Sequence, residues 1–199
     1  MGGAAIRPIG LIMTAQMVRD IAAEAFGDAI DILQMIETLE AGNTSAAVAA
    51  VNAAGTYAVA QCIYRSLWSR LVVIVTRAYA DARPGDRHAQ CAFDLLKNPA
   101  VQAEVEKRGN PAMLAEAIAL WAKCRSDHRW PSINAFRDKQ IAHWGSLKNS
   151  PPIINDLFAV SRATTAALER LAQGAGVVAL SLDSQVTNYR TRAEDFWGP

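Results

Sequence analysis

Apolar residues recur along this chain at helical rather than strand spacing. Between Thr14 and Glu40, Met17, Ile21, Ala25, Ile32, Leu33, Ile36 and Leu39 fall mostly three, four or seven apart. The acids Asp20, Glu24, Asp28 and Asp31 form a second stripe at i, i+4, i+8 and i+11. This is the pattern of an amphipathic helix, with Thr14 as its N-cap and Gly42-Asn43 as its end. A second long helix is predicted from Thr44 or Ser45 to about Ala82, with Leu67, Leu71, Ile74 and Val75 as core and Arg65, Arg70 and Arg77 outward. Pro84-Gly85 stops it. Two short helices follow, near 86–97 and 98–108. Asn98-Pro99 reads as a cap followed by a proline in the first turn, and Asn110-Pro111 repeats that signal to open a helix to about His128.

Trp130-Pro131 interrupts the pattern, and Ser132 is placed to cap a further helix to Leu147, before the hard stop at Pro151-Pro152. Residues 153–172 are helical again and end at Gly174 and Gly176. Beyond them the pattern weakens to a short strand or coil and a final helical turn or two. The expected fold is therefore all-α: an up-down bundle of four or five principal helices with short extra helices. Residues 1–178 read as one helical domain and 179–199 as a C-terminal tail, partly helical.

Composition narrows the classes. Of 199 residues, 51% are hydrophobic and 20% charged, enough for a sizeable core and against intrinsic disorder. A net charge of +1 excludes a histone-like, strongly basic nucleic-acid binder, but not a local basic patch. Cys62, Cys91 and Cys124 make a poor disulfide framework, so a reducing, cytoplasmic setting is expected. No apolar stretch near Met1 suits a signal peptide, and Ile6 stands where myristoylation needs Ser or Thr. Ala41 to Tyr64 carries no charge, but it is alanine-rich and broken by Gly42, Asn43, Asn52, Gly55 and Gln61. Alanine drives membrane insertion weakly, so a packed helix is expected there and no membrane association.

Candidate chemistry is sparse. His88-x-x-Cys91 and Cys124-x-x-x-His128 have helical ligand spacing, but their order and gap match no zinc-finger pattern. Single helical cysteines usually serve as small buried hydrophobes. The glycines form no phosphate-binding loop, and no Glu-x-x-His accompanies the acidic stripe. No metal or cofactor is expected. One segment stands apart: in Arg137-Asp138-Lys139-Gln140-Ile141-Ala142-His143 an Arg, an acid, a Lys and a His fall within seven residues. On a helix Lys139 and His143 share a face. Three potential cations with one carboxylate suit a phosphate: His143 titrates near neutrality and can move a proton, and Arg137 can hold charge developing on phosphorus. A surface helix with an Arg-Asp-Lys ion-pair cluster and a capping His fits the same residues.

This segment resembles the R-[polar]-x(3–4)-H signature of the HEPN superfamily, in the form RDKxxAH of the bacterial abortive-infection, phage-resistance (AbiU-type) branch. Residues 71–96 are similar to the same branch: a helix ending in Arg77 and Asp81, then a short helix closing on Leu95-Leu96. The resemblance implies a metal-independent endoribonuclease, often a homodimer with two motifs facing across the interface. Arg137 and His143 take the catalytic positions and Asp138 the intervening polar one, where family members often carry Asn. The ribose 2′-hydroxyl would attack the adjacent phosphate and leave a 2′,3′-cyclic phosphate. Many family members keep only a binding role, so a non-catalytic module for a protein partner or nucleotide is the alternative. An antitoxin or a nucleotidyltransferase is the partner to expect.

Basic residues beyond the motif would then serve RNA. Between Lys123 and Lys148 six basic residues face two acids, and the Arg65, Arg70, Arg77, Arg83, Arg87 series adds more. Lys139, Arg129, Arg70 and Arg77 are the RNA-binding candidates. Arg70 and Arg77 are equally placed to balance the acidic first helix. Trp130 and Trp144 flank the motif and suit the core of a dimer interface.

Overall fold

The structure, a computed structural model, describes residues 8–83, 85–138, 154–178 and 180–198. Among them there is no strand, only helices: α1 (Pro8–Gly42), α2 (Ser45–Ala53), α3 (Tyr57–Ala78), α4 (Ala89–Leu96), α5 (Pro99–Glu106), α6 (Pro111–Arg125), α7 (Trp130–Phe136), α8 (Ile154–Gly174) and α9 (Asp183–Trp197). α1 is the axis of the bundle: α3, α4, α5, α8 and α9 all pack on it, and α6 lies against α8. The apolar stripe read from the sequence is its buried side. Ile21, Ile32, Ile36 and Leu39 are fully buried in one core with Leu71, Leu114, Ile133, Leu157, Leu168 and Leu171, each worth roughly 1.5–3 kcal/mol of transfer free energy.

Local chemistry sets most of the boundaries. Asn98 Oδ1 accepts from Ala100 N at 3.0 Å, and Asn110 Oδ1 from Ala112 N at 3.1 Å, each capping a helix with proline in its first turn. α6 and α8 approach closely at Gly174. A Cβ there would meet Leu114 N at 2.5 Å, and the Gly174 carbonyl accepts from Asn110 N at 2.9 Å.

Several expectations need correction. Thr14 lies inside α1 and donates to Gly10 O at 2.7 Å, because the helix starts upstream of it. The long helix expected from 44 to 82 is two: Gly55 takes φ +67°, a left-handed conformation that ends α2 before α3 begins. α6 ends at Arg125 rather than at His128. Ser132 caps nothing; it sits in the first turn of α7 and donates back to Arg129 O at 2.9 Å. The segment after 178 carries a full helix, α9, docked on α1.

The uncharged stretch 41–64 is spread over the end of α1, α2 and the start of α3, so it forms no single span. α3 alone among the described helices has the length and mean hydropathy (1.3) of a membrane span. Its Leu71, Val72, Ile74 and Val75 lie in the protein core, while Arg70 and Arg77 pair with acids of α1.

Candidate functional site

The end of α3, the turn leading into α4, the end of α6 and the end of α7 converge on one cleft of about 880 Å³. Arg77 stands on the last turn of α3. The chain then folds back through a turn in which Asp86 N donates to Arg83 O (3.0 Å) and Arg83 N to Asp86 Oδ2 (2.9 Å), bringing Arg83, Arg87 and His88 to the rim. The chain leaving α7 brings Arg137 and Asp138 to the same cleft.

An aromatic stack underlies the cleft. Tyr79 lies flat on Trp121 (centroids 4.1 Å, planes 3° apart), Trp121 on Phe93 (4.4 Å, 12°), and Trp130 leans on Tyr79 at 4.3 Å. Burial raises the Tyr79 phenol well above its ordinary pKa, so it stays a neutral hydroxyl at its Thr164 partner, 2.9 Å away. Trp130 is 7% exposed and donates to Cys124 O at 2.6 Å. It belongs to the chain's own core and is not free for the interface role expected of it.

The structure sorts the basic candidates by their partners. The acidic stripe of α1 meets the arginines of α3 and of the following turn in register: Asp31 with Arg70 (2.8 Å), Asp28 with Arg77 (2.7 Å) and Glu24 with Arg87 (2.7 Å). The balance of the acidic helix read from the sequence thus has a direct geometric form. Arg77 lines the cleft. Arg70 opens onto a separate depression beside Gln34 and Leu67, so it is not brought together with Arg137. Arg129 is gripped by Asp127 through Nε (2.8 Å), Nη2 (2.6 Å) and its own backbone N (2.9 Å), and it does not line the cleft. Those hydrogen bonds from Arg129 pull the Asp127 carboxyl from 3.8 to about 2.

Arg137 and Asp138 both line the cleft and pair with each other at 2.6 Å while 35% and 48% exposed. Lys139, His143 and Trp144 lie outside the described residues.

Asn134 and Tyr79 line the cleft although they carried no signal as site residues in the sequence, and His88, weighed there only as a zinc ligand, lines it too: it is 9% exposed, with Nε2 3.6 Å from Cys91 Sγ and 3.7 Å from Asp86 Oδ2. Of the pairs considered for zinc, His88 and Cys91 meet, whereas Cys124 is buried and the His128 side chain is 91% exposed; among the described residues no group of three potential ligands is placed to hold a metal.

In a comparison with known protein families, a family model described as AbiU2, of the HEPN class, aligns with residues 16–196. That range includes every lining residue of the cleft and all of α9 but its last residue, Trp197. No curated protein and no solved structure matches the chain.

Proposed function

The chain belongs to the AbiU2 family of HEPN-type domains, an abortive-infection module, and from that membership we propose that it is a metal-independent endoribonuclease acting at the Arg137 cleft. One observation carries the reading: both described residues of the RDKxxAH segment that bear charge, Arg137 and Asp138, line one charged cleft together with Arg83 and Arg87. The arrangement suits a phosphodiester. A ribose 2′-hydroxyl attacks the neighbouring phosphorus, the bond to the 5′ oxygen breaks, and the products are a 2′,3′-cyclic phosphate and a 5′-hydroxyl. His143 moves the proton, as base toward the 2′-hydroxyl or as acid toward the leaving oxygen. Arg137 offsets the charge on the phosphorane. To do so it must leave Asp138, and a half-exposed pair of this kind holds by only ~0–1 kcal/mol.

Each copy brings one motif. A homodimer with two motifs across a two-fold axis supplies an acid and a base together and doubles the positive charge on one phosphate.

A second reading has its own support. Five arginines and five carboxylates line the cleft, so it is formally balanced. Such a surface also suits a charged face of a protein partner, as in a non-catalytic module held by an antitoxin or nucleotidyltransferase. Incubating total RNA with wild type, His143→Ala and Arg137→Ala, each with and without EDTA, separates the two. The nuclease reading predicts EDTA-resistant cleavage by wild type alone, with circular dichroism unchanged across the set. Cleavage that survives both substitutions, or that EDTA stops, overturns the mechanism; no cleavage by wild type leaves the partner-binding module.

A further inference from the structure

Arg77, Arg87 and Arg137 at the cleft are each engaged by a carboxylate. Arg125 is held differently. It stands exposed at the last turn of α6, lines the cleft, and among the described residues makes no ion pair. Its Nη1 donates instead to the side-chain carbonyl of Gln90, at 2.5 Å. Gln90 is 2% exposed, and the same oxygen accepts from Trp121 Nε1 at 3.1 Å. Its amide nitrogen donates to Asp94 Oδ1 at 2.9 Å.

The orientation of that amide is therefore fixed, since reversing it would set donors against Trp121 and Arg125. Asp94 is spoken for as well. Burial works to raise its pKa, but hydrogen bonds from Lys97 (2.7 Å) and Gln90, with smaller contributions from the charges of Lys97 and Arg125, keep it below the ordinary carboxylate value. A neutral, buried amide thus aims the guanidinium without cancelling its charge. The rest of the planar fork is left for an anion, and phosphate oxygens match it best.

We propose that Arg125 binds a backbone phosphate of RNA flanking the one at Arg137, with Gln90 as its positioning residue; this rests on the RNA-cleaving reading above. Sequence position alone does not single out Arg125 from its basic neighbours. The Arg129 guanidinium, four residues on, is committed to Asp127.

The test is fluorescence anisotropy of a short, fluorescein-labelled 2′-O-methyl RNA, which binds without being cut, titrated with the full chain over a KCl series. Arg125→Gln should weaken binding about tenfold, as expected for one lost charge-assisted contact, and flatten the slope of log affinity against log salt by about 0.7. Gln90→Glu, nearly isosteric, places a carboxylate against Arg125 and should flatten the slope in the same way. Arg192→Gln removes an equal charge from α9, away from the cleft, and should leave both quantities unchanged. Arg125 is exposed, so its substitution does not threaten folding, which circular dichroism checks. If wild type binds and Arg125→Gln matches it in affinity and slope, the subsite is overturned while the RNA reading stands. If wild type does not bind, both fall together.

Discussion

Arg129 and Arg137 each sit near an aspartate, yet their pairs differ in kind. Asp127 takes three hydrogen bonds from Arg129, and the two side chains are 15% and 24% exposed. Asp138 holds Arg137 in a pair that is more than a third exposed on both sides. The first clamps the link between α6 and α7; the second is a contact that a phosphate can displace. The Asp127 carboxyl is depressed in the folded chain, so its stabilisation is fully present above about pH 4 and is lost as pH falls toward about 2. Asp127→Asn should therefore lower stability at neutral pH, and its urea midpoint should converge with wild type near pH 2. A difference that stays constant over that range would contradict the clamp. Asp138→Asn should change the urea midpoint little, since exposed pairs contribute ~0–1 kcal/mol. It should strengthen RNA binding by removing a competing carboxylate, and weaker binding in the anisotropy titration would count against the site.

Among the helices, α9 shows most clearly how distant residues complete the fold. Glu37 of α1 is fully buried between Arg162 of α8 (2.8 Å) and Arg190 of α9 (2.5 Å). Trp197 lies against Gly42, where a Cβ would come within 2.6 Å of its ring, and its Nε1 donates to Thr38 O at 2.8 Å. Glu37→Ala removes the buried one of the two carboxylates, Glu37 and Glu40, that Arg162 and Arg190 share. Both heads reach solvent, so the expected cost is about 1–3 kcal/mol in urea denaturation; no measurable loss would contradict the docking role.

None of this was legible from the sequence beyond residue 178. α9 carries few apolar residues, and its partners lie some 150 positions away. By contrast, the starts of α5 and α6 were legible because asparagine and proline act within one turn. The break at Gly55 was hidden in alanines that suit either a continuous or a divided helix. The candidate site divides in the same way. Arg137 and Asp138 stand out as a local motif, whereas the opposing wall depends on how the turn after α3 returns over α1, which no local pattern encodes.

At the scale of the whole molecule, charge is arranged rather than accumulated. Acids of α1 neutralise Arg70 and Arg77 of α3, and a net charge of +1 leaves little general attraction for nucleic acid. RNA binding must then rest on a few phosphate contacts, each adding about 0.7 to the slope of log affinity against log salt; salt-insensitive binding would favour the protein-partner reading. Pairing two motifs predicts a dimer by light scattering at micromolar concentration, and a monomer would leave the site with half its proposed groups.

The central claim is that Arg137 and His143 cleave RNA by 2′-hydroxyl attack. Mass spectrometry of the ends formed on a defined RNA in EDTA-containing buffer tests it most directly. The account predicts 2′,3′-cyclic phosphate and 5′-hydroxyl ends from wild type. His143→Ala should yield less of them by ~10²–10⁴-fold, the usual contribution of general acid–base catalysis. Ends bearing a 3′-hydroxyl and 5′-phosphate, or cyclic phosphate formed equally well by His143→Ala, would contradict it.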